Sequence, residues 1–471
     1  MDLSLMTTNF FANAFGWTSV IPAGVWFLIL LLAIILIWFI WVKRPVYEAV
    51  GLGFVLLVII SGNFSNIWTY IDGALSTNLL YSMVAFVAMS ILLTKTKIVD
   101  SCIAIILSVI GRVTGGAGYA AVIASGFMGA LSGSGPGNVM ATGAITIPAM
   151  KRSGFPAELA ANIESNASYM GNMIPPSSNI VAAMTAYTTA TNLDLSTGQF
   201  WMILWGISAY FIIQRLVMVW GFCKYYKVKP IAKEDLPSLR ETLKKGWTGL
   251  LLPFIILVPF ILDAVFKDTF FTKQLGETGA ANLSSSVLLF VGGIAALFAV
   301  LVTKDKKMVT PNKIATMFSN GIKTFAPAIG VCVFGYMLGE LFADLNVGKD
   351  MAALVGSWNF GQLGTVLVVC LITCFLGMVI PGSSLVVIFG PVFISILSGA
   401  GCSPLLAAAM LPCICGVMCG ITPPLGLGMY AGMTLAESDF KKTFNNNLWW
   451  VSAQFILQVL VLMGWLPILG L

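Results

Sequence analysis

A helix breaker inside an apolar helix limits what this chain can become, and the same breaker frame occurs twice. From Pro156 to Pro175 is 19 residues, and from Pro404 to Pro423 is also 19. Each second proline opens a pair, Pro175-Pro176 and Pro423-Pro424. Upstream of each frame stands a Gly/Ser-rich tip with Pro-Gly in it, Pro136-Gly137 in LSGSGPGN and Pro381-Gly382 in VIPGSS. A short apolar stretch carrying its own proline follows each tip, at Pro148 and Pro391. A double proline removes two N–H donors and clashes with the preceding turn. Helices over 157–190 and 405–432 are therefore expected to break near 171–178 and 416–426. Within a bilayer, freed backbone groups are tolerated only where protein buries them or a water-filled cavity receives them. Corresponding breaks in two halves of a chain point to a binding site at a repeat interface.

Composition puts these segments in a membrane. The 471 residues are 58% hydrophobic and 9% charged, where a soluble domain carries about 25% charge. Many apolar runs approach the roughly 20 residues that span a bilayer. The first, 21–41, follows Asp2 without a basic flank and reads as a retained span rather than a cleaved signal peptide. The chain has no histidine, and so lacks the commonest metal ligand and acid–base group. The net charge of +6 is spread over loops between apolar runs, which is not a nucleic-acid footprint. Cys413, Cys415 and Cys419 share one apolar helix without His or acidic partners. They read as small packing residues, and no disulfide framework is expected. With no histidine and no metal cluster, an intramembrane enzyme is disfavoured.

Lys and Arg gather on the cytoplasmic side of short loops. With Lys43-Arg44 inside, 63–77 falls outside, Lys95 and Lys97 inside, 190–199 outside, 223–246 inside, 264–284 outside, Lys304–Lys307 inside and Lys441-Lys442 inside. Of the 25 basic residues, 21 lie inside, three (Lys267, Lys273, Lys349) outside, and Arg215 within a span. Both termini then fall outside. Arg112 and Lys151-Arg152 bracket the first tip, so a re-entrant hairpin from the cytoplasm fits, with arms over roughly 114–131 and 138–150. The second tip is flanked by 356–364 and 398–404, which hold no Lys or Arg, and fits a hairpin from the other face. The fold expected is an all-α polytopic membrane protein with an inverted-topology repeat, two re-entrant hairpins and two broken helices.

Each break leaves carbonyls at one half-helix end and N–H groups at the other, with partial negative and positive charge respectively. Carbonyls beside hydroxyls suit Na⁺; N–H ends suit a carboxylate. Candidate cation-binding residues are Ser132, Ser134, Asn138, Gly171, Ile174, Ser177, Gly382, Ser383, Gly420 and Thr422. Candidate substrate-binding residues are Asn138, Asn166, Asn172, Ser178, Asn179 and Ser384. No transition metal and no cofactor beyond the coupling ion is expected. Glu164, in the first broken helix, is a relay group or, by preference, the partner of a basic group such as Lys151 or Arg152. Glu340 and Asp344 read as interfacial. Arg215 snorkels or pairs, or else meets an anionic substrate.

The segments FMGALSGSGPGN, IPAMKRSGFPAELAANIES, MIPPS, LGMVIP and GITPPLGLGMYAGM together resemble the large membrane (permease) subunit of TRAP transporters, tripartite ATP-independent periplasmic transporters, over more than four-fifths of the chain. The resemblance implies an elevator-type, Na⁺-coupled importer of carboxylate-bearing solutes in the bacterial inner membrane. It also implies a periplasmic substrate-binding protein and a small membrane subunit as partners. The sequence departs from the family at Pro381-Gly382-Ser383, where Pro-Thr-Thr is frequent, and at Gly135-Pro136-Gly137. The N-terminal 75 residues resemble no complete small subunit. The organisation expected is 1–112 as N-terminal scaffold spans, 113–190 as the first transport-domain repeat, 191–355 as scaffold with a cytoplasmic linker at 223–246, 356–432 as the second repeat, and 433–471 as a C-terminal span. A self-sufficient elevator carrier that needs no binding protein is the alternative.

Overall fold

Proline and glycine decide where the helices of this chain stop. The computed structural model describes residues 22–471, apart from Pro45, Thr77, Lys97, 133–134, Lys233, Asp235, Pro237, 304–309, Val379 and 424–425. The N-terminus placed outside by the charge pattern lies beyond the described residues, as do Ser134 and the basic cluster Lys304–Lys307.

The described residues are mostly helical, with no strand among them. In chain order the helices are α1 (Ala23–Ile37), α2 (Val46–Ile60), α3 (Ile67–Ser76), α4 (Asn78–Lys95), α5 (Ile98–Ile110), α6 (Gly116–Ser132), α7 (Gly135–Arg152), α8 (Ala157–Met170), α9 (Ser178–Thr191) and α10 (Thr197–Tyr226). They continue as α11 (Leu239–Gly246), α12 (Leu252–Phe266), α13 (Thr272–Val302), α14 (Pro311–Asp344), α15 (Val347–Ser357), α16 (Gly361–Gly377) and α17 (Gly382–Gly399). The last are α18 (Pro404–Leu411), α19 (Leu427–Ala436) and α20 (Phe440–Leu462). A π-helical turn, Pro412–Val417, and a final turn, Met418–Ile421, extend α18.

Four helical stretches among the described residues are long and apolar enough to cross a bilayer: Thr197–Tyr225, Asn282–Val302, Gly382–Gly399 and Pro404–Ile421. A fifth is added if Ile329–Asp344 and Val347–Ser357, bent by 66°, count as one span. The last two of the four are 67% and 89% buried inside the protein, against 39% and 31% for the first two. Helices of the second proline frame are thus interior, while α10 and α13 present apolar surface to the surroundings.

Both hairpins form. α6 and α7 pack side by side around the first tip, and α16 and α17 around the second. Pro381 caps α17 in an extended conformation, as a residue that cannot continue a preceding helix must. The first broken helix begins at Pro156, runs to Met170, tightens into a 3-10 turn at Gly171–Met173 and extends at Ile174. α9 restarts with Ser177 as N-cap, its side chain accepting from the Asn179 N–H. In the second, α18 starts under a Ser403 cap accepting from the Leu406 N–H.

The second break falls at 422–426, in the C-terminal part of the stretch expected from sequence. Gly416 lies inside the π-helical turn, and the chain stays helical to Ile421 before Thr422 extends and Gly426, at φ 30°, starts α19. Pro412 removes one backbone donor, and the wider turn absorbs that loss without ending the helix. Two stretches treated as outer loops are also helical: 63–77 contains α3, and 264–284 runs through a π-turn at Lys267–Phe271 into α13, which kinks at Gly276, φ 72°. The central linker holds the short helix α11.

The two frames interlock. α9, the second half of the first broken helix, packs against α17 and α18. α19, the second half of the second, packs against α7 and α8. Each broken helix therefore crosses to the other frame's hairpin. α20 lies along α8, while α4 and α5 flank α6.

Candidate functional site

Glycine contacts bring the hairpins onto the breaks. A Cβ on Gly171 would lie 2.3 Å from the Gly129 carbonyl carbon and 2.4 Å from the Ala130 nitrogen. The end of α6 thus rests directly on the first break. A Cβ on Gly382 would lie 2.6 Å from the Cys415 carbonyl oxygen and 2.7 Å from Gly416 Cα, and one on Gly377 2.3 Å from Cys419 Sγ. The second tip rests on the second frame's π-turn in the same way. Small residues permit this closeness where helices must approach within a membrane.

The two frames meet where Asn172 donates through Nδ2 to the Gly416 carbonyl, 3.1 Å. Asn179 Nδ2 stands 3.2 Å from where a Gly416 Cβ would be. On the other side the buried ring of Tyr169 is enclosed by Gly135, Gly420 and Gly428, whose Cβ positions would fall 2.4, 1.7 and 2.3 Å from it. The first tip, both breaks and the start of α19 thus converge on Tyr169, and the second tip joins through Gly416. Asn172, Ser177, Ser178 and Asn179 gather at this crossing, all buried.

Other candidates stand elsewhere. Asn138 donates to the Ser125 carbonyl, 2.8 Å, and to Ser168 Oγ, 2.9 Å, tying α7 to α6 and α8. Asn166 donates to the Asn162 carbonyl, 2.9 Å, and to Asn447 Oδ1, 3.3 Å, facing α20. The Thr422 hydroxyl donates to the Met418 carbonyl, 2.8 Å, closing its own last turn. Ile174 and Ser384 are buried, Gly382 is half-buried and Ser383 exposed. Ser132 is the last residue of α6.

Several carbonyls expected to be free are taken by side-chain donors. Ser208 donates to the Met173 carbonyl, 2.9 Å, and Asn447 to the Ile421 carbonyl, 2.6 Å, beside the Asn172 bond to Gly416. Helix ends buried without partners are costly, and amides from other helices meet that need here.

Two expectations are corrected. Glu164 pairs with neither Lys151 nor Arg152. It is fully buried and accepts from the Thr142, Thr146 and Ser168 hydroxyls. Lys151 instead donates to the Ala436 carbonyl, 2.9 Å, and lies 3.8 Å from Glu437. Arg215 does not snorkel; it is 1% exposed. Its guanidinium donates to the Asn166 and Phe211 carbonyls, each 3.3 Å, to Gln214 Oε1, 2.7 Å, and to Gln454 Oε1, 2.8 Å. Neutral acceptors from α8, α10 and α20 satisfy it.

The amide face of α20 is what sequence reading missed. Asn446, Asn447, Gln454 and Gln458 are all buried. Asn446 accepts from Asn162, 2.8 Å, and Gln454 donates to Cys413 Sγ, 2.9 Å. Asn447, Gln454 and Gln458 recur at helical spacing in an apolar segment, a signal open to reading. The nine cysteines are free, and no group of three His, Cys, Asp or Glu among the described residues is placed to hold a metal.

The sequence matches the family described as "Tripartite ATP-independent periplasmic transporter, DctM component" over residues 23–469. It is 26% identical over 401 residues to the C4-dicarboxylate TRAP transporter large permease protein of Vibrio cholerae, covering 82% of this chain and 84% of that protein. It is 28% identical to the Pseudomonas aeruginosa counterpart, covering 77% and 78%. It is 22% identical to the sialic acid TRAP transporter large permease protein of Vibrio cholerae, covering 78% and 80%. The fold resembles that of the Neisseria gonorrhoeae MtrF transporter, with TM-score 0.63, 12% identity and 96% and 98% coverage. It also resembles Alcanivorax borkumensis YdaH, with TM-score 0.58, 16% identity and 85% and 87% coverage.

Proposed function

The chain belongs to the DctM family of TRAP transporter permeases, a family of membrane transport components and not of enzymes, and from that premise we propose that it imports a carboxylate-bearing organic solute across the bacterial inner membrane, coupled to Na⁺. In this reading a periplasmic binding protein delivers the solute and a small membrane subunit completes the complex. α6–α9 and α16–α19 carry solute and ions as one elevator body, and the remaining helices form the scaffold. Both termini lie on the periplasmic side.

The observation that carries this reading is the crossing of the two breaks, joined by the Asn172 bond to Gly416. Around it each broken helix packs on the opposite hairpin, which favours movement of the four parts together over independent gating. Relatives named for C4-dicarboxylates and for sialic acid share a carboxylate as the common chemistry of their substrates. Amides and a helix start at Ser177–Asn179 suit such a group. Na⁺ enters as a co-substrate, read by oxygens at the breaks.

Uptake into vesicles containing the full chain with its small membrane subunit, with a labelled C4-dicarboxylate and labelled sialic acid as probes and the binding protein in the outer medium, is expected to require an inward Na⁺ gradient. Equal uptake with K⁺ or choline at unchanged pH would sink the coupling. Uptake without the binding protein would favour the self-sufficient carrier.

A further inference from the structure

Glu164 is a buried carboxyl that the proposed site does not use. Its oxygens lie at the junction of three helices, with Thr142 and Thr146 from α7 and Ser168 from α8 in direct hydrogen-bond contact. Ser125 of α6 also turns its hydroxyl toward the carboxyl. Among the described residues no cation is bonded to Glu164. Of the groups on the surrounding helices, Tyr119 belongs to α6, Lys151 and Arg152 to the last turn of α7, Glu158 and Tyr169 to α8, Tyr430 to α19, Lys441 and Lys442 to α20, and Tyr210, Arg215 and Lys224–Tyr226 to α10. None of these makes a hydrogen bond or ion pair with Glu164. Two of the cations are committed elsewhere: Lys151 to Ala436 and Glu437, and Arg215 to Asn166, Phe211, Gln214 and Gln454.

A buried carboxylate with no counter-charge is not stable in its ionised form; it takes up a proton or a cation. Two observations decide between them. First, an oxygen-coordinated cation stands about 2.3–2.6 Å from its ligands and so holds them apart from one another. Here the hydroxyls hydrogen-bond the carboxyl oxygens directly rather than standing around a common centre. Second, hydrogens are short. The Thr142 hydroxyl has one hydrogen, yet contacts both the Asn138 carbonyl, 2.8 Å, and Glu164 Oε1. The Thr146 hydroxyl likewise contacts the Thr142 carbonyl, 3.1 Å, and Glu164 Oε2. A hydrogen on Oε2 donates to Thr146 Oγ1 and releases that hydroxyl to bond the Thr142 carbonyl. One added proton settles Thr146; Thr142 still divides its single hydrogen between the Asn138 carbonyl and Oε1.

We propose that Glu164 is a proton-binding site between α7 and α8, inside the unit formed by the first hairpin and the first broken helix. The network continues through Ser168 to Asn138 next to the first tip, so the protonation of Glu164 is coupled to the hydrogen bonding of that tip. A proton then accompanies, or alternates with, the coupling cation. That role in transport rests on the cation-coupled reading above; occupancy of Glu164 by a proton does not.

The test is infrared spectroscopy of the purified full chain in vesicles at neutral pH. The expected spectrum contains a protonated-carboxyl carbonyl band that disappears in Glu164→Gln and is unchanged in Glu437→Gln, a substitution at an exposed carboxylate. Thr146→Val is expected to shift the same band, which keeps the test open if Glu164→Gln fails to fold. Thermal unfolding supplies a second readout. A proton held in the folded state stabilises it until rising pH removes that proton. The wild-type midpoint is therefore expected to fall relative to that of Glu164→Gln as pH rises from the ordinary carboxylate range to the pH at which the folded protein releases the proton. Wild-type spectra without the band, or identical pH dependence in the two proteins, would overturn the site. Either result leaves the Na⁺-gradient assay standing on its own.

Discussion

Gly171→Ala tests the packing of the first hairpin on the first break. The added methyl would meet Gly129 and Ala130 backbone atoms at 2.3–2.4 Å, whereas ordinary contact begins at 3.4 Å. The α6 end or the break must therefore retreat by roughly 1 Å, and neither partner is a side chain able to rotate away. Overpacking of this kind costs about 1–3 kcal/mol. Gly171 has ordinary helical dihedrals, φ −55° and ψ −26°, so alanine also returns about 0.5–1 kcal/mol of backbone entropy. The balance is a net loss of about 1–2 kcal/mol. Gly221→Ala is the matched control. Gly221 lies inside α10 with nothing within 4 Å of its Cβ position, so only the entropic gain applies. Thermal unfolding of the full chain in one detergent, wild type beside both variants, reads the difference. The expected order of midpoints is Gly221→Ala at or above wild type, then Gly171→Ala clearly below. A Gly171→Ala midpoint equal to or above wild type would refute the contact.

Three further outcomes are expected. Asn172→Ala, which removes the bond between the breaks, lowers Na⁺-driven uptake at least tenfold, about 1.4 kcal/mol, at unchanged expression; wild-type uptake would return Asn172 to a packing role. Arg215→Met leaves the Asn166 carbonyl and Gln454 Oε1 without their donor, at about 1–3 kcal/mol per orphaned group, and an unfolding midpoint matching wild type would contradict the buried network. Among the nine free cysteines Cys374 alone is half-buried rather than buried, so a maleimide probe in detergent labels it first, and faster labelling of Cys413 or Cys415 would count against the interior placement of α18 and its π-turn.

The proline frames made the breaks readable because proline acts locally, through its own missing donor and its own ring. The first break falls where that logic puts it, at Gly171–Met173 and Ile174. The second falls at 422–426, within the expected 416–426 but at its far end, because Pro412 opens a π-turn that carries Gly416 within the helix. The α11 helix in the linker was readable from its charge and flanking prolines. Partner choice was not. Glu164 has Lys151 and Arg152 close in sequence, yet its partners are hydroxyls at Thr142 and Thr146, spaced one turn apart on the opposing helix face. The amides of α20 reach α8 and α18 across 26 to 284 residues of sequence, and no local rule sets such pairings. Sequence alone therefore located the breaks but not the donors that satisfy them.

The central claim is that the two hairpins and two broken helices travel together past the scaffold. α6 lies against α4 in this arrangement. In a chain cleared of its nine native cysteines, a pair of cysteines placed across the α4–α6 contact would cross-link on oxidation. The account predicts that oxidation stops Na⁺-driven uptake and reduction restores it. Uptake by the oxidised, cross-linked protein at the reduced rate would show that α6 need not slide along α4, and would contradict the elevator.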